Sequence, residues 1–349
     1  MLKAVYTRHD LKFNFTAITS RQSMTVKETY FIKVTDLASG YSGVGECAVF
    51  RGLGADDTPL YESIVAGLCR KINNIDIDSI GESSIRFGFE TAMRDLASGG
   101  RHDIFESDWQ LGQRHIPING LVWMGDFDTM LKRIDQKISE NFSCIKIKIG
   151  GIDFDRELDL IRHIRDSFDS SRLSLRLDAN GSMTPHNALG RLERLARYDI
   201  HSIEQPIGTR QWPAMREITR NSPIDIALDE ELIGNMGYDQ RCFLLDGTMP
   251  RYIILKPSLH GGFKTCDNWI RDAVEREIGW WATSALESNI GLNAIAQWAA
   301  SKNVTMPQGL GTGALYTNNI ESPLKVENGT LGYDIDAQWE NPLFEKETL

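Results

Sequence analysis

A chain of 349 residues that is 41% hydrophobic and 25% charged has ordinary globular composition, with length for one large domain and a smaller one, which sets aside a disordered or fibrous protein. Its formal net charge of -10 repels nucleic acid and anionic membrane surfaces alike, so a small anionic substrate would need a local cation. Five cysteines without a C-x-x-C pair, no apolar leader in residues 1–10 and no apolar run of about 18 residues lead us to expect a soluble protein of the reduced cytoplasm, with neither disulfide framework nor membrane span.

In chain order, residues 13–18 and 29–34 are rich in β-formers, and the turn-like Ala38-Ser39-Gly40 follows the second, which predicts an antiparallel meander over about the first 55 residues. From 60 to 96 the apolar spacing turns helical, with Ile64, Leu68 and Ile72 on one stripe and Phe89, Met93 and Leu96 on another. Residues 1–112 are therefore expected to form a small α+β domain. Beyond them, short β-rich runs alternate with helical stretches, at 116–122, 144–149, 173–178, 200–204, 224–229, 252–256, 279–283 and 303–306. Eight such runs in roughly 190 residues is the count a (β/α)8 barrel requires. Between the second and third, Phe154, Leu158, Ile161, Ile164 and Phe168 carry helical spacing, with Asp153 placed as a cap. Trp280-Trp281 reads as packing between barrel and helices. The fold class predicted is α/β: a (β/α)8-type, modified TIM barrel over 113–315 with an α+β capping domain. Residues 316–349 are expected to return to that cap.

Charged residues recur at the strand ends with the period of one βα unit. Lys148 to Asp178 is 30 residues, Asp178 to Glu204 is 26, Glu204 to Asp229 is 25 and Asp229 to Lys256 is 27. The C-terminal rim of such barrels is where active sites lie. Three carboxylates converging there would repel one another unless a cation sat between them, and an all-oxygen set leaving room for water and substrate suits Mg²⁺ better than zinc. Lys146 and Lys148, at i and i+2, share one face of their strand. Neighbouring cations and a divalent ion lower a lysine's proton affinity, which is how it becomes a base.

Lys146-Ile147-Lys148, Asp178-Ala179-Asn180, Glu204-Gln205-Pro206, Asp229-Glu230 and Lys256-Pro257 resemble, in order, the K-x-K, D-x-N, E-x-P, D-E and K-P elements of the muconate-lactonising branch of the enolase superfamily. Gly43-Val44-Gly45-Glu46-Cys47 resembles that family's capping-domain element, and Phe87-Gly88-Phe89-Glu90-Thr91-Ala92 its linking helix. Within the branch, Arg176, Ser284-Ala285-Leu286-Glu287-Ser288 and Gly309-Leu310-Gly311-Thr312 resemble the o-succinylbenzoate synthases. The resemblance implies Mg²⁺, with Mn²⁺ as a substitute ion, on Asp178, Glu204 and Asp229. It implies Lys148 and Lys256 on opposite substrate faces with Lys146 tuning Lys148, and substrate contacts from Arg176, Asn180, Ser284 and Gly309.

The implied reaction is syn dehydration of 2-succinyl-6-hydroxy-2,4-cyclohexadiene-1-carboxylate in menaquinone synthesis, by proton abstraction next to a carboxylate and an enediolate stabilised by Mg²⁺. N-acylamino-acid racemases and dipeptide epimerases share the set and stand as the alternative. The partner expected is a small carboxylate, with no nucleic acid and no membrane; a homo-oligomer is compatible with the sequence. Residues 20–23 and 50–54, with Arg21 and Arg51, are expected to close over the mouth. His260 reads as a solvated loop residue, and Glu287 as either support for the site or part of the rim.

Overall fold

The computed structural model describes residues 1–18, 23–340 and 342–344. Strands β1 (Leu2–Ile18), β2 (Ser23–Asp36) and β3 (Ser42–Cys47) form the antiparallel meander. On β2 the period-two alternation turns Tyr30, Ile32 and Val34 to one face, where Val65 of α1 (Tyr61–Arg70) and Phe89 and Ala92 of α2 (Ser83–Ala97) pack on them. Phe31 points the other way, into a cluster with Val44, Ile290 and Ile320 that Trp339 and Phe344 join. Both faces of β2 are thus covered, each fully buried side chain contributing about 1.5–3 kcal/mol.

The barrel follows in the expected alternation. Its parallel sheet runs in the order β5 (Gly120–Val122), β6 (Cys144–Lys148), β7 (Ser174–Asp178), β8 (Ser202–Glu204), β9 (Ile226–Leu228), β10 (Tyr252–Leu255), β11 (Gly279–Ala282). Outside it lie α3 (Phe127–Ser139), α4 (Phe154–Ser167), α5 (Ala188–Leu195), α6 (Trp212–Asn221), α7 (Tyr238–Thr248), α8 (Gly262–Val274) and α9 (Asn289–Ser301). Asp153 caps α4 as expected, its side chain accepting from Asp155 N at 2.9 Å. Two of the eight predicted runs are corrected. Only the second half of 116–122 enters the barrel; Ile116–Pro117 is β4, which pairs instead with β13 (Thr330–Tyr333), itself the partner of β12 (Leu324–Glu327). Residues 303–306 form no strand; single bridges from Gln308 to Ile118 and from Gly309 to Thr283 stand in the eighth position. The β-rich run thus ends just before Gln308 and Gly309, the two residues that carry the pairing.

Carboxylates of the cap reach across to the barrel. Glu90 on α2 accepts from Phe263 N, in the first turn of α8, at 2.5 Å, and Glu46 on β3 reaches the start of α9. The C-terminal segment runs beside β1, where Thr317 N donates to Lys12 O at 2.9 Å. Close approach of β3 to α2 depends on glycine. A Cβ at Gly45 would sit 2.0 Å from Gly88 O and 2.8 Å from Ala92 N, backbone atoms that have no other rotamer to adopt. Gly45→Ala is therefore expected to lower the denaturant midpoint at unchanged m value, by a stability loss of about 1–3 kcal/mol; an unchanged midpoint would show that the strand and helix separate freely.

Candidate active site

Strand alternation brings the charged side chains inward at one end of the barrel. Lys146 Nζ lies 3.1 Å from Asp178 Oδ2 and also pairs with Glu204 Oε2. Lys148 Nζ donates to Asp178 Oδ2 and to Asn180 Oδ1, each at 2.8 Å, and lies 5.8 Å from the ring centre of Trp123. Lys256 pairs with Asp229 Oδ2, its side chain 12% exposed; the other four strand-end residues and Lys146 are buried. The turns that follow these residues hold them at the rim. Gly150 takes φ +93°, a Cβ there would meet Ser182 Oγ at 2.2 Å, and Glu157 Oε1 accepts from Gly150 N and Gly151 N at 2.5 and 3.2 Å. Asn180 and Gln205, two residues after Asp178 and one after Glu204, stand in the left-handed region at φ 43° and 41°, a cost of about 1–3 kcal/mol tolerated where the surroundings fix the backbone.

The electrostatics single out one carboxylate. Burial alone would raise Asp178, but Lys146 and Lys148 hold it well below the usual range, and Lys256 and Lys146 do the same for Asp229. Glu204 is driven up, by burial and then by Asp178, with Lys146 offsetting only part. Lys146 and Lys256, which burial would lower, are both raised by the acids: Lys146 by Asp178, Glu204 and Asp229, Lys256 by Asp229 and Glu204. At Lys146 three acids outweigh the cationic neighbours.

Among the described residues no three His, Cys, Asp or Glu side chains are drawn into a closed ligand cage; the ammonium groups lie on the carboxylates instead. Yet Glu204 Oε1 and Asp229 Oδ1 are buried without a hydrogen-bond partner. Unpaired buried carboxylate oxygens are costly. An all-oxygen donor set with two oxygens unmet fits a hard divalent cation.

The cavity over these groups, about 100 Å³, is lined on the cap side by Phe50, Gly52 and Leu53, and on the barrel side by Lys146, Lys148, Asp178, Asn180 and Lys256. Ser284 and Gly309 also line it. Asn180 ties Lys148 to Glu230, its Nδ2 donating to Glu230 Oε1 at 3.0 Å. The Ser284 hydroxyl is already committed to Glu287 Oε2 at 2.5 Å, and Gly309 gives room to Thr283, whose Oγ1 would be 2.5 Å from a Cβ there. Arg176 lies one residue pair below Asp178, its Nη1 donating to Pro307 O at 2.7 Å and its guanidinium 4.0 Å from the Trp281 ring centre, and like Glu204 and Asp229 it is outside the cavity lining. Trp281 is accordingly inside the barrel, while Trp280 packs on Trp298 of α9. His260 is fully buried rather than solvated; its Nδ1 accepts from Lys256 N at 3.0 Å, and burial pushes its pKa down to about 3, so it is neutral. Arg51 turns away to Glu28 at 2.7 Å and Asp57 at 2.9 Å, while its neighbours face the cavity; Arg21 lies outside the described residues. Asn119, Trp123 and Glu230 are cavity residues given no role from sequence. Inward alternation from Leu121, opposite Lys146, could have found both Asn119 and Trp123.

A family model described as enolase C-terminal domain-like matches residues 129–334. The o-succinylbenzoate synthase of Desulfotalea psychrophila is 44% identical, over 94% of this chain and 98% of that protein. The crystal structure of MenC from the same organism superposes with a TM-score of 0.79 at 42% identity, covering 95% of this chain and 99% of that one. The D-Ala-D/L-Ala epimerase of Cytophaga hutchinsonii is more distant, 28% identical over 75% of this chain and 73% of its own length. With acids and lysines alternating round the mouth of a capped barrel, and with likeness running nearly end to end, the chain belongs to the enolase superfamily.

Proposed function

We propose that this chain catalyses the o-succinylbenzoate synthase reaction of menaquinone synthesis, removing water from 2-succinyl-6-hydroxy-2,4-cyclohexadiene-1-carboxylate. The observation that carries the reading is that Lys148, Asp178 and Lys256 line one cavity while Glu204 and Asp229 pair with its Lys146 and Lys256, in a chain 44% identical to a synthase over 94% of its length. The superfamily is metal-dependent; for this chain we propose Mg²⁺, held by Asp178, Glu204 and Asp229. Such an ion would supply charge stabilisation for the substrate carboxylate as it gains electron density. The same proposal takes 1–112 as cap, 113–315 as barrel and 316–349 as a returning segment. It places the enzyme in the cytoplasm, in keeping with five free cysteines.

The chain's own residues divide the remaining work. Lys148 Nζ, aimed by Asn180 Oδ1, removes the proton next to the carboxylate and returns it to the departing hydroxyl on the same face. The C–H and C–O bonds break, water leaves, and the ring becomes aromatic. Lys256 stays an ammonium because Asp229 and Glu204 hold its proton, and as a cation it faces the electron-rich ring. Phe50, Leu53 and Trp123 exclude water, so these charges act in a low dielectric.

Purified enzyme given the cyclohexadiene acid, N-succinyl amino acids and dipeptides should form o-succinylbenzoate at least about 10²-fold faster than it racemises the others; the reverse ranking would make it an epimerase. Lys148→Ala is expected to lose about 10² to 10⁴ in rate, and Lys148→Arg nearly as much, because guanidinium cannot accept the proton. Near-normal turnover by the arginine variant would move the base to Lys256. Chelation should abolish turnover, with recovery on adding Mg²⁺; Ala at Asp178, Glu204 or Asp229 should prevent that recovery, and full activity of a chelated sample would refute the metal's part.

A further inference from the structure

The cavity over the reacting groups holds about 100 Å³, less than the roughly 300–1,000 Å³ usual for small-molecule pockets, so a side arm on the substrate must reach into a neighbouring space. Two grooves adjoin it. One, about 600 Å³, shares Asn119, Leu121, Trp123, Gly311 and Thr312 with the cavity wall. The two spaces meet where the barrel is incompletely closed: Asn119 N donates to Gln308 O at 2.9 Å, and above that bond β5 has no neighbouring strand on this edge among the described residues. The other groove, about 1210 Å³, shares Gly52, Leu53, Asn180 and Glu230 with the cavity.

Charge separates the two. In the first groove Lys137 is paired with Glu140 at 2.6 Å, which leaves the guanidinium of Arg133 as its unbalanced charge. Arg133 is half-buried and forms no ion pair among the described residues; its Nη1 donates to Trp123 O and Met124 O, each at 2.9 Å. A guanidinium fixed through one nitrogen keeps its other donors for a ligand. Trp123 sets it close to the chemistry, because the ring of that residue lies 5.8 Å from Lys148 Nζ. Asn119, 4% exposed, stands at the opening, and its Oδ1 has no hydrogen-bond partner among the described residues. A buried carboxamide is seldom left so, and this one can turn either end to a ligand. The second groove sets Arg210 against Glu230 and Glu231, a wall of net negative charge.

We propose that the first groove takes the side arm of the substrate, which passes Asn119 at the opening, and that Arg133 is the counter-ion of the carboxylate at the arm's end. The proposal rests on the reaction given above, whose substrate carries one carboxylate beside the proton that Lys148 removes and a second at the end of a succinyl arm. In a chain of net charge -10, a fixed cation without an acid of its own selects the doubly charged ligand over a singly charged one.

Titration calorimetry in Mg²⁺, with o-succinylbenzoate and with the analogue whose arm ends in a carboxamide, tests this without turnover. The parent enzyme should bind the acid about 10- to 100-fold more tightly than the amide. Arg133→Gln should bring the two near parity, and Arg133→Lys, which keeps the charge and loses the fork, should retain only part of the preference. Arg133→Gln should also raise KM for the cyclohexadiene acid more than it lowers kcat. A purely structural role would weaken acid and amide alike, and that result overturns the proposal. So does a preference that survives in Arg133→Gln, one that is lost instead in Arg210→Gln, or a parent that binds neither ligand. Should Arg133→Gln fail to fold, Arg133→Lys decides: a reduced preference supports the contact and an undiminished one refutes it. The reaction itself is judged separately, since a parent that forms no o-succinylbenzoate refutes it whatever the two ligands show.

Discussion

Carrying three carboxylates and three ammonium groups out of water into one barrel mouth is the constraint on which the rest of this structure depends. The desolvation of each ion costs several kcal/mol, and only close pairing offsets it. The pairing is uneven. Asp178 receives two lysines and Asp229 receives Lys256, whereas Glu204 shares Lys146 and keeps one oxygen without a partner. That imbalance is what a catalytic centre for carbanion chemistry requires: a place where added positive charge is welcome, beside lysines already aimed at a common space.

Backbone geometry near the rim serves the same end. Gly150 turns the chain sharply after Lys148, and Glu157 fixes the turn by accepting two of its amides. Gln205 binds Ile207 O and Glu231 Oε2 at 3.0 and 3.2 Å, so the backbone after Glu204 is tied to the segment after Asp229. These bonds hold the left-handed conformation at Gln205, and Asn180 is held in the same region by its N and Nδ2 donating to Asp178 Oδ1 at 3.1 Å and Glu230 Oε1 at 3.0 Å. A charged side chain aimed by several independent contacts loses little entropy when substrate arrives.

The cap is more than a lid. Glu90 and Glu46 each place a carboxylate at the start of a barrel helix, α8 and α9, where the unpaired amides and the helix dipole favour negative charge. Apolar residues at 50 and 53 close the cavity from above, and the return segment packs Trp339 and Phe344 against the cap's own sheet. These are two sets of contacts: Phe50 and Leu53 belong to a cluster with Trp123 and Leu286, and Trp339 and Phe344 to one with Phe31 and Val44.

By itself the sequence determined the periodic features: the meander, the βα alternation, α4 with its aspartate cap, and the five charged strand ends whose 25 to 30 residue spacing follows from the length of one βα unit. Such features are legible because they rest on local periods of 2 and 3.6 and on chain length between neighbouring elements. Tertiary structure alone decided what depends on depth and on contacts distant in sequence. Arg176 has the same inward direction as Asp178 but sits one pair lower, on Trp281 rather than in the cavity. Ser284 faces the cavity, yet Glu287 takes its hydroxyl, and His260 is buried against a backbone amide. Residues 303–306 form no strand because the eighth position of the barrel is held by Gln308 and Gly309 alone. Glu46 meets Ser288 across 242 residues, and no spacing rule reaches that far: such a contact is set by how two domains pack, which the local pattern of neither one encodes.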